Sequence, residues 1–450
     1  MLSRWTGSVT RMPDGSASAH RYRPKLATTL LEGYGWAKFR ADAIAALTVA
    51  VVALPLSMAI AIASGVSPER GLYTAIIGGF LVSALGGSRY QIGGPAGAFI
   101  VLVAATGAKY GLEGLLLAVL MSGALLTLVG ALRLGLLIGK MPHAVTIGFT
   151  CGIAVTIFAS QLKDLAGLTL AGPEPGPLVE KLGTLWQAIP SMNLAALFVG
   201  VGTAAAIVAI RAWRPAWPAM LLAVVAASAF VTLFHFHLDT IGSRFGTLPS
   251  GLPHPRLPRL GGGLWLAVLP SALSFTLLGA IESLLSAKVA DGMTGRKHRS
   301  NMELVAQGIA NLASACFGGI SVTGTIARTA TNVRAGACSP ISGMMHAGFL
   351  LLFLLFLAPM AGYVPLASLA GLLAVVCWNM IEKKEVRHLL TRWPETSVFA
   401  CTLLLTLLRD LTTGVLAGCL FAAVLHLTGR KLANETSAAP PTAGKADRAG

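Results

Sequence analysis

Between residues 41 and 428 apolar stretches near or above the length needed to cross a bilayer follow one another with only short polar joints between them. A membrane core is about 30 Å thick, so a helix needs roughly 20 apolar residues to span it. Inside that core every backbone N–H and C=O must be paired within the protein, which leaves helices as the building unit for segments of this length. We read fourteen segments: 43–65, 71–86, 96–107, 113–132, 143–162, 192–210, 216–234, 265–288, 301–316, 324–335, 341–359, 364–381, 395–409 and 411–429. The expected fold is an all-α polytopic membrane protein. Composition agrees, with 55% hydrophobic and 12% charged residues against the roughly 25% charge of a soluble domain.

A net charge of +16 would fit nucleic acid in a soluble chain, but beside membrane spans Lys and Arg collect on the cytoplasmic side. With fourteen crossings and the N-terminus inside, only Arg70, Lys109, Lys163, Lys181, Arg244, Arg256, Arg259 and Arg409 of the 34 basic residues fall outside. The basicity is therefore topological, no nucleic-acid partner is expected, and both termini are placed in the cytoplasm of a cell whose inner (plasma) membrane holds the chain. No cleavable leader is expected, because the N-terminal tail lacks an apolar core before a cleavage site. The six cysteines lie in or beside apolar spans without a CxxC pair, which reads as buried small hydrophobes. No cofactor or metal is expected; His235 and His237 sit in a loop without a Cys or paired acid near them.

The chain divides into a basic leader (1–40), whose 27–36 stretch suits an amphipathic surface helix, a first set of seven spans (41–234), a joint (235–262), a second set of seven (263–429) and an Ala/Pro/Gly-rich tail (430–450) expected to be disordered. The two sets share a feature. GGSRYQIGGPAGAF in the first and FGGISVTGTIARTATNV in the second each place an extended, Gly-broken stretch ahead of an abbreviated segment. Interrupted segments at matching positions in two halves point to a transporter site at an inverted-repeat interface. The plainer reading is close helix packing through glycine.

A helix that starts inside the membrane presents unpaired N–H groups and a partial positive charge. The N–H groups around Ala96, Gly97 and Ala98 and around Thr325, Ile326 and Ala327 would form an anion cradle if the two starts met. Thr323, Thr325 and Thr329 add hydroxyls, and Arg328 adds a cation able to pair with the anion or with an acid. That acid is Glu282, alone in an apolar helix with no other acid for 40 residues before it. A carboxyl at membrane depth costs a few kcal/mol and by default marks an ion or proton pathway. Burial and a bound anion both favour its protonated form, so proton and anion are expected to bind together. Ser286 lies one turn on and faces the same side, available to share a hydrogen bond or an ion. Gln307, Asn311, His346, Asn379 and His426 read as interhelical hydrogen-bond partners. With no nucleophile–base pair or metal set, an enzyme is not expected.

GLYTA (71–75), GGSRYQIGGPAGAF (86–99), PHAVTIGFTCGIAV (142–155), GAIESLLSAKVADGMTGRKHRSNMELVAQGIAN (279–311) and FGGISVTGTIARTATNVRAGACSPISGMMHA (317–347) resemble the sulfate permease (SulP) family of anion transporters over roughly 38–430. The resemblance implies fourteen spans in two inverted repeats of seven, a core and a gate domain, elevator-like movement and a homodimer. It puts Glu282 at the family's helix-eight acid, Arg328 at its helix-ten arginine and Ala96 where several members carry a phenylalanine. Leu56, Ile60, Ala96, Gly97, Ala98, Thr325, Ile326, Ala327 and Arg328 are then the expected anion-binding residues, with Glu282 and Ser286 for proton or ion coupling.

Two departures stand out. Most members end in a soluble STAS domain, whereas this sequence stops about twenty residues after its last span, so the domain is expected to be lacking. Pro55-Leu56 replaces the family's common Pro-Gln, and together with AIESLL and SPIS this is closer to bacterial proton-coupled C4-dicarboxylate carriers. The expectation is a proton-coupled symporter of sulfate or a C4-dicarboxylate. The alternatives are a sodium-coupled bicarbonate carrier, with Glu282 and Ser286 holding Na⁺, and an anion channel or exchanger.

Overall fold

Helix occupies each of the fourteen apolar segments in the computed structural model, which describes residues 22–135, 142–172, 174–175, 178–215, 217–258, 261, 263–409 and 411–427. The helices are α1 (Lys25–Leu31), α2 (Trp36–Ala63), α3 (Pro68–Tyr73), which continues through a π turn (Thr74–Gly78) into α4 (Gly79–Leu85), then α5 (Ile100–Ala131), α6 (His143–Leu165) and α7 (Leu178–Ala188). There follow α8 (Leu194–Trp213), α9 (Ala219–Leu233), α10 (Ile241–Phe245), α11 (Leu264–Thr294), α12 (Ser300–Cys316), α13 (Ile326–Arg334), α14 (Ile341–Ala361), α15 (Leu366–Met380), α16 (Lys383–Leu389), α17 (Trp393–Leu408) and α18 (Leu411–Leu427). Two two-residue strands, β1 (Gly93–Gly94) and β2 (Thr323–Gly324), stand ahead of α5 and α13. A 3₁₀ turn (Gly97–Phe99) joins β1 to α5.

Among the described residues, seven helical stretches are long and apolar enough to cross a bilayer by themselves, among them Trp36–Ala63 and Leu264–Thr294; Ala219–Leu233, Trp393–Leu408 and Thr413–Leu427 are apolar but shorter. α5 covers two expected segments because Gly111 interrupts it at φ 69° and ψ −176°, a conformation open to glycine. The short helix α1 stands where a surface helix was expected, with Leu30 and Leu31 exposed and Thr29 buried. The joint after α6 holds α7, which hydropathy alone passes over. The tail expected at 430–450 and most of the leader lie outside the described residues.

Burial runs opposite to that of a water-soluble protein. Large apolar side chains such as Phe198, Phe356 and Leu420 face outward, whereas Asp42, Glu282, Glu303, Gln307, Asn311, Arg328 and His346 are inside. That is the sorting expected when hydrocarbon is the solvent.

The helices pack in two groups. In one, α5 lies along α11 and α12, α14 along α2 and α4, and α13 against α11 and α2. In the other, α6 packs on α15, α17 and α18, and α8 on α15 and α9. They meet where α2 touches α9 and α15 and where the 3₁₀ turn touches α6. Within the second group the fit is close. A Cβ added at Gly148 or Gly418 would come within 3.1 or 2.1 Å of Thr402, and one at Gly152 or Gly414 within 2.6 or 2.2 Å of Thr406. Each of these α17 threonines is thus gripped between a glycine of α6 and a glycine of α18.

Candidate functional site

The two Gly-broken stretches meet. β1 and β2 pair antiparallel, Gly93 opposite Gly324 and Gly94 opposite Thr323, so the starts of α5 and α13 emerge from one crossing in the first helix group. Glycine is needed because the crossing is tight: a Cβ at Gly94 would lie 2.4 Å from Arg328 Nη1, and one at Gly324 would overlap the Gln91 amide. Each strand is held by side chains. Asn311 brackets Val322, donating from Nδ2 to its carbonyl at 2.8 Å and accepting its N–H at Oδ1 at 3.0 Å. Thr74, at the start of the π turn, accepts the Ile320 N–H at 2.7 Å. Gln91 Nε2 donates to the carbonyl and hydroxyl of Ser283, each at 3.1 Å.

This crossing gathers most of the expected site. Ala96 and Ala98 are buried and Gly97 is partly open, with room for a small side chain before Ile157 of α6 and Met380 of α15 at 3.7 Å. On the other side Ile326 is half-buried and Ala327 exposed. No hydrogen bond is made to the N–H groups of Ala96, Gly97, Ala98, Ile326, Ala327 or Arg328 among the described residues. These are the orphan donors of two helix starts, and they suit an anion. The Thr325 N–H is not one of them. It donates to the Ile92 carbonyl at 3.0 Å, continuing the strand pairing, so the second half of the cradle begins one residue later than expected. The Thr325 hydroxyl donates to the same carbonyl at 3.2 Å.

Arg328 points back toward α2, where its Nη2 donates to Ser57 Oγ at 3.1 Å. Leu56 and Ile60, expected in the site, are the buried neighbours of that serine on α2. Among the described residues Arg328 makes no ion pair with Glu282, and its Nε and Nη1 have no hydrogen-bond partner. Glu282 is buried on α11, on the face whose Gly279 carbonyl accepts from Thr323 and whose Ser283 accepts from Gln91. No hydrogen bond or salt bridge to Glu282 occurs among the described residues. Ser286, expected to share a hydrogen bond or an ion with Glu282, donates to Thr329 Oγ1 at 3.1 Å. Phe99 and Phe275 stack at 5.9 Å and 7°, fixing the start of α5 on α11. Ser57, Gln91 and Ser283 were not singled out in the sequence: a serine or glutamine in an apolar span signals a hydrogen bond but not its partner. Among the described residues no group of three metal-ligating side chains occurs.

The profile of the Sulfate permease family matches residues 39–404. YvdB of Bacillus subtilis (strain 168), named as a sulfate-transporter candidate, is 45% identical over 404 residues, 88% of this chain and 75% of that protein. The bicarbonate transporter BicA of Picosynechococcus sp. is 30% identical over 420 residues, 91% of this chain and 73% of its own length. The solved transmembrane domain of a cyanobacterial BicA superposes with a TM-score of 0.75 at 28% identity, covering 86% of this chain and 98% of that one. The murine Solute Carrier 26 family member A9 anion transporter, in its inward-facing state, shares the fold with a TM-score of 0.83 at 17% identity, over 95% and 74% of the two chains. A helical membrane protein with two anion-ready helix starts at one strand crossing, and with this profile along most of its length, belongs to the sulfate permease family of anion transporters.

Proposed function

We propose that this protein is a proton-coupled symporter of sulfate or a C4-dicarboxylate, working by elevator-type alternating access. The observation that carries the reading is the isolation of Glu282: a buried carboxyl, beside two helix starts with free N–H groups, that no cation among the described residues neutralises. An uncompensated carboxylate at membrane depth is costly, and taking up a proton removes that cost. A bound anion adds to the demand, so proton and anion load together and leave together. The two helix groups correspond to the core and gate of such a mechanism, with the crossing in the core and Gly97 at the boundary. Fourteen crossings in two inverted repeats, cytoplasmic termini, an inner-membrane location and a homodimer belong to the same proposal.

A second reading has its own support, since two relatives 30% and 32% identical are named bicarbonate transporters. Sodium coupling would require oxygen ligands around Glu282, and the Ser286 hydroxyl, which donates its hydrogen to Thr329, keeps its lone pairs for one. Uptake into proteoliposomes of sulfate, succinate, fumarate and bicarbonate, each with a proton gradient, a sodium gradient or none, tests both. Acceleration of sulfate or dicarboxylate uptake by an inward proton gradient is the expected result. Sodium-driven bicarbonate uptake alone would replace the first reading with the second.

A further inference from the structure

α7 stands in the joint between α6 and α8, outside every expected span. At about 100° of rotation per residue, its sequence LVEKLGTLWQA divides into three faces. Lys181, Leu185 and Ala188 are buried, the last two in a cluster with Leu168, Leu162 and Ala166. Glu180, Thr184 and Gln187 make up a polar face. The third face carries Val179, Leu182 and Trp186, and the described residues leave it uncovered: Trp186 is 75% exposed and Val179 66%.

The helix is fastened in this attitude at both ends. Lys181 pairs with Glu174 at 2.8 Å and donates to Ser160 Oγ of α6. Beyond the other end, the Thr169 N–H donates to Ser191 Oγ at 2.9 Å and the Asn193 N–H to the Ala166 carbonyl at 3.0 Å. These bonds close the joint where α6 ends and α8 begins, so the apolar face of α7 cannot turn inward.

The surroundings of that face say what meets it. Leu194, Phe198 and Val201 of α8 are exposed at i, i+4 and i+7, the stripe of a helix turned toward hydrocarbon. Ile189 and Met192, both exposed, carry the apolar surface from α7 to the head of that stripe. A fixed helix that is apolar on one exposed side, polar on the other, and bears a tryptophan on the apolar side matches one lying in the boundary between headgroups and acyl chains. A second copy of the chain fits less well, because a helix about 16 Å long with one narrow apolar stripe offers only a small part of the roughly 800 Å² that each partner buries in a stable interface. Lys181 is the one basic residue of α7 and is already held by Glu174, so apolar area rather than headgroup charge supplies the attraction.

We propose that α7 is an interfacial anchor, lying along the bilayer surface where α6 ends and α8 begins, with Val179, Leu182 and Trp186 against lipid. Through Lys181 and Leu185 it ties the α6 side of the molecule to that surface.

Photo-crosslinking of the full chain tests this. Val179, Leu182, Trp186 or Gln187 is replaced singly by p-benzoylphenylalanine, and each purified variant is reconstituted into phosphatidylcholine vesicles, irradiated and weighed by mass spectrometry. Phosphatidylcholine adducts are expected at 179, 182 and 186, with loss of that signal to background at 187. Crosslinked chain dimers in place of lipid adducts would overturn the proposal and assign the face to a second copy. Adducts at 179, 182 and 186 no stronger than at 187 would overturn it as well, placing the face in water. If one of the three variants does not fold, the other two decide. The measurement needs no transport, so its result stands whatever anion is carried.

Discussion

Thr329 Oγ1 accepts the Ile92 N–H at 3.1 Å across 237 positions of chain. The Ile92 carbonyl accepts from Thr325, so both backbone groups of this one residue are satisfied by α13 and its approach. Thr329 also accepts from Ser286 of α11, and a single hydroxyl therefore ties together the β1 approach, α13 and the helix that carries Glu282.

Thr329→Val keeps the shape of that side chain and removes the hydroxyl. The buried Ile92 N–H and the Ser286 hydroxyl lose their partner, at about 1–3 kcal/mol for an unsatisfied buried group. We expect a lower melting temperature in detergent and weaker anion uptake; wild-type values of both would show that the hydroxyl contributes nothing to the crossing.

Glu282→Gln mimics the protonated acid. Anion binding is expected to persist while acceleration by an inward proton gradient disappears, and Glu282→Ala is expected to lose more. Uptake compared at external pH of about 5.5 and about 7.5 is the measurement, since a coupled carboxyl must change protonation across the cycle. An unchanged pH response in the Gln variant removes Glu282 from coupling.

Gly97 is partly open and has 3.7 Å to its nearest neighbours, so Gly97→Ala is expected to fold and transport. Gly97→Asp puts a negative charge among the free N–H groups and takes the place of the anion. Its uptake is expected to vanish with an unchanged oligomer profile in size-exclusion chromatography. Undiminished uptake would move the site elsewhere.

Glu32 is held below the ordinary carboxylate range by its hydrogen bond to Arg89, which joins the segment after α1 to the approach of β1. A folded-state pKa below the unfolded one means that this pairing adds stability at all pH above about 4.5 and loses it as pH falls through the folded value. Amide exchange in α1 is expected to quicken only below that window in wild type, and at neutral pH already in Glu32→Gln. Equal exchange in both at neutral pH would mean that α1 is held by other contacts, such as Lys25 N–H to the Gly86 carbonyl.

Cysteines placed at Glu180 and at Lys297 test the orientation. With both termini in the cytoplasm, the first is expected to react with an impermeant thiol reagent added to sealed cells and the second to stay protected. Labelling at 297 would invert the arrangement.

The helical segments and the two interruptions were legible in the sequence because membrane length and Gly/Pro breaks are local signals. Glu282 was legible because one carboxyl in apolar surroundings needs no partner to be noticed. The partners were not legible. That Arg328 turns to Ser57, that Ser286 goes to Thr329 and that Asn311 brackets Val322 depends on the rotation of each helix about its axis. In a stretch buried on every side, like 278–284 of α11, the hydrophobic pattern does not set that rotation. The expectation that the Thr325 N–H stays free failed for a related reason: strand pairing extends one residue further than the Gly-rich pattern implies.

The interlocked threonines of α17 constrain how the second helix group can move. Thr402 and Thr406 are seated in notches on two neighbours at once, and packed interiors resist gradual sliding. A shift of α6 or α18 by less than one helical repeat would drive a threonine into a backbone. Those three helices are then expected to travel together in any transport cycle, which leaves the contacts of α6 with α15 and with the 3₁₀ turn as the places that give.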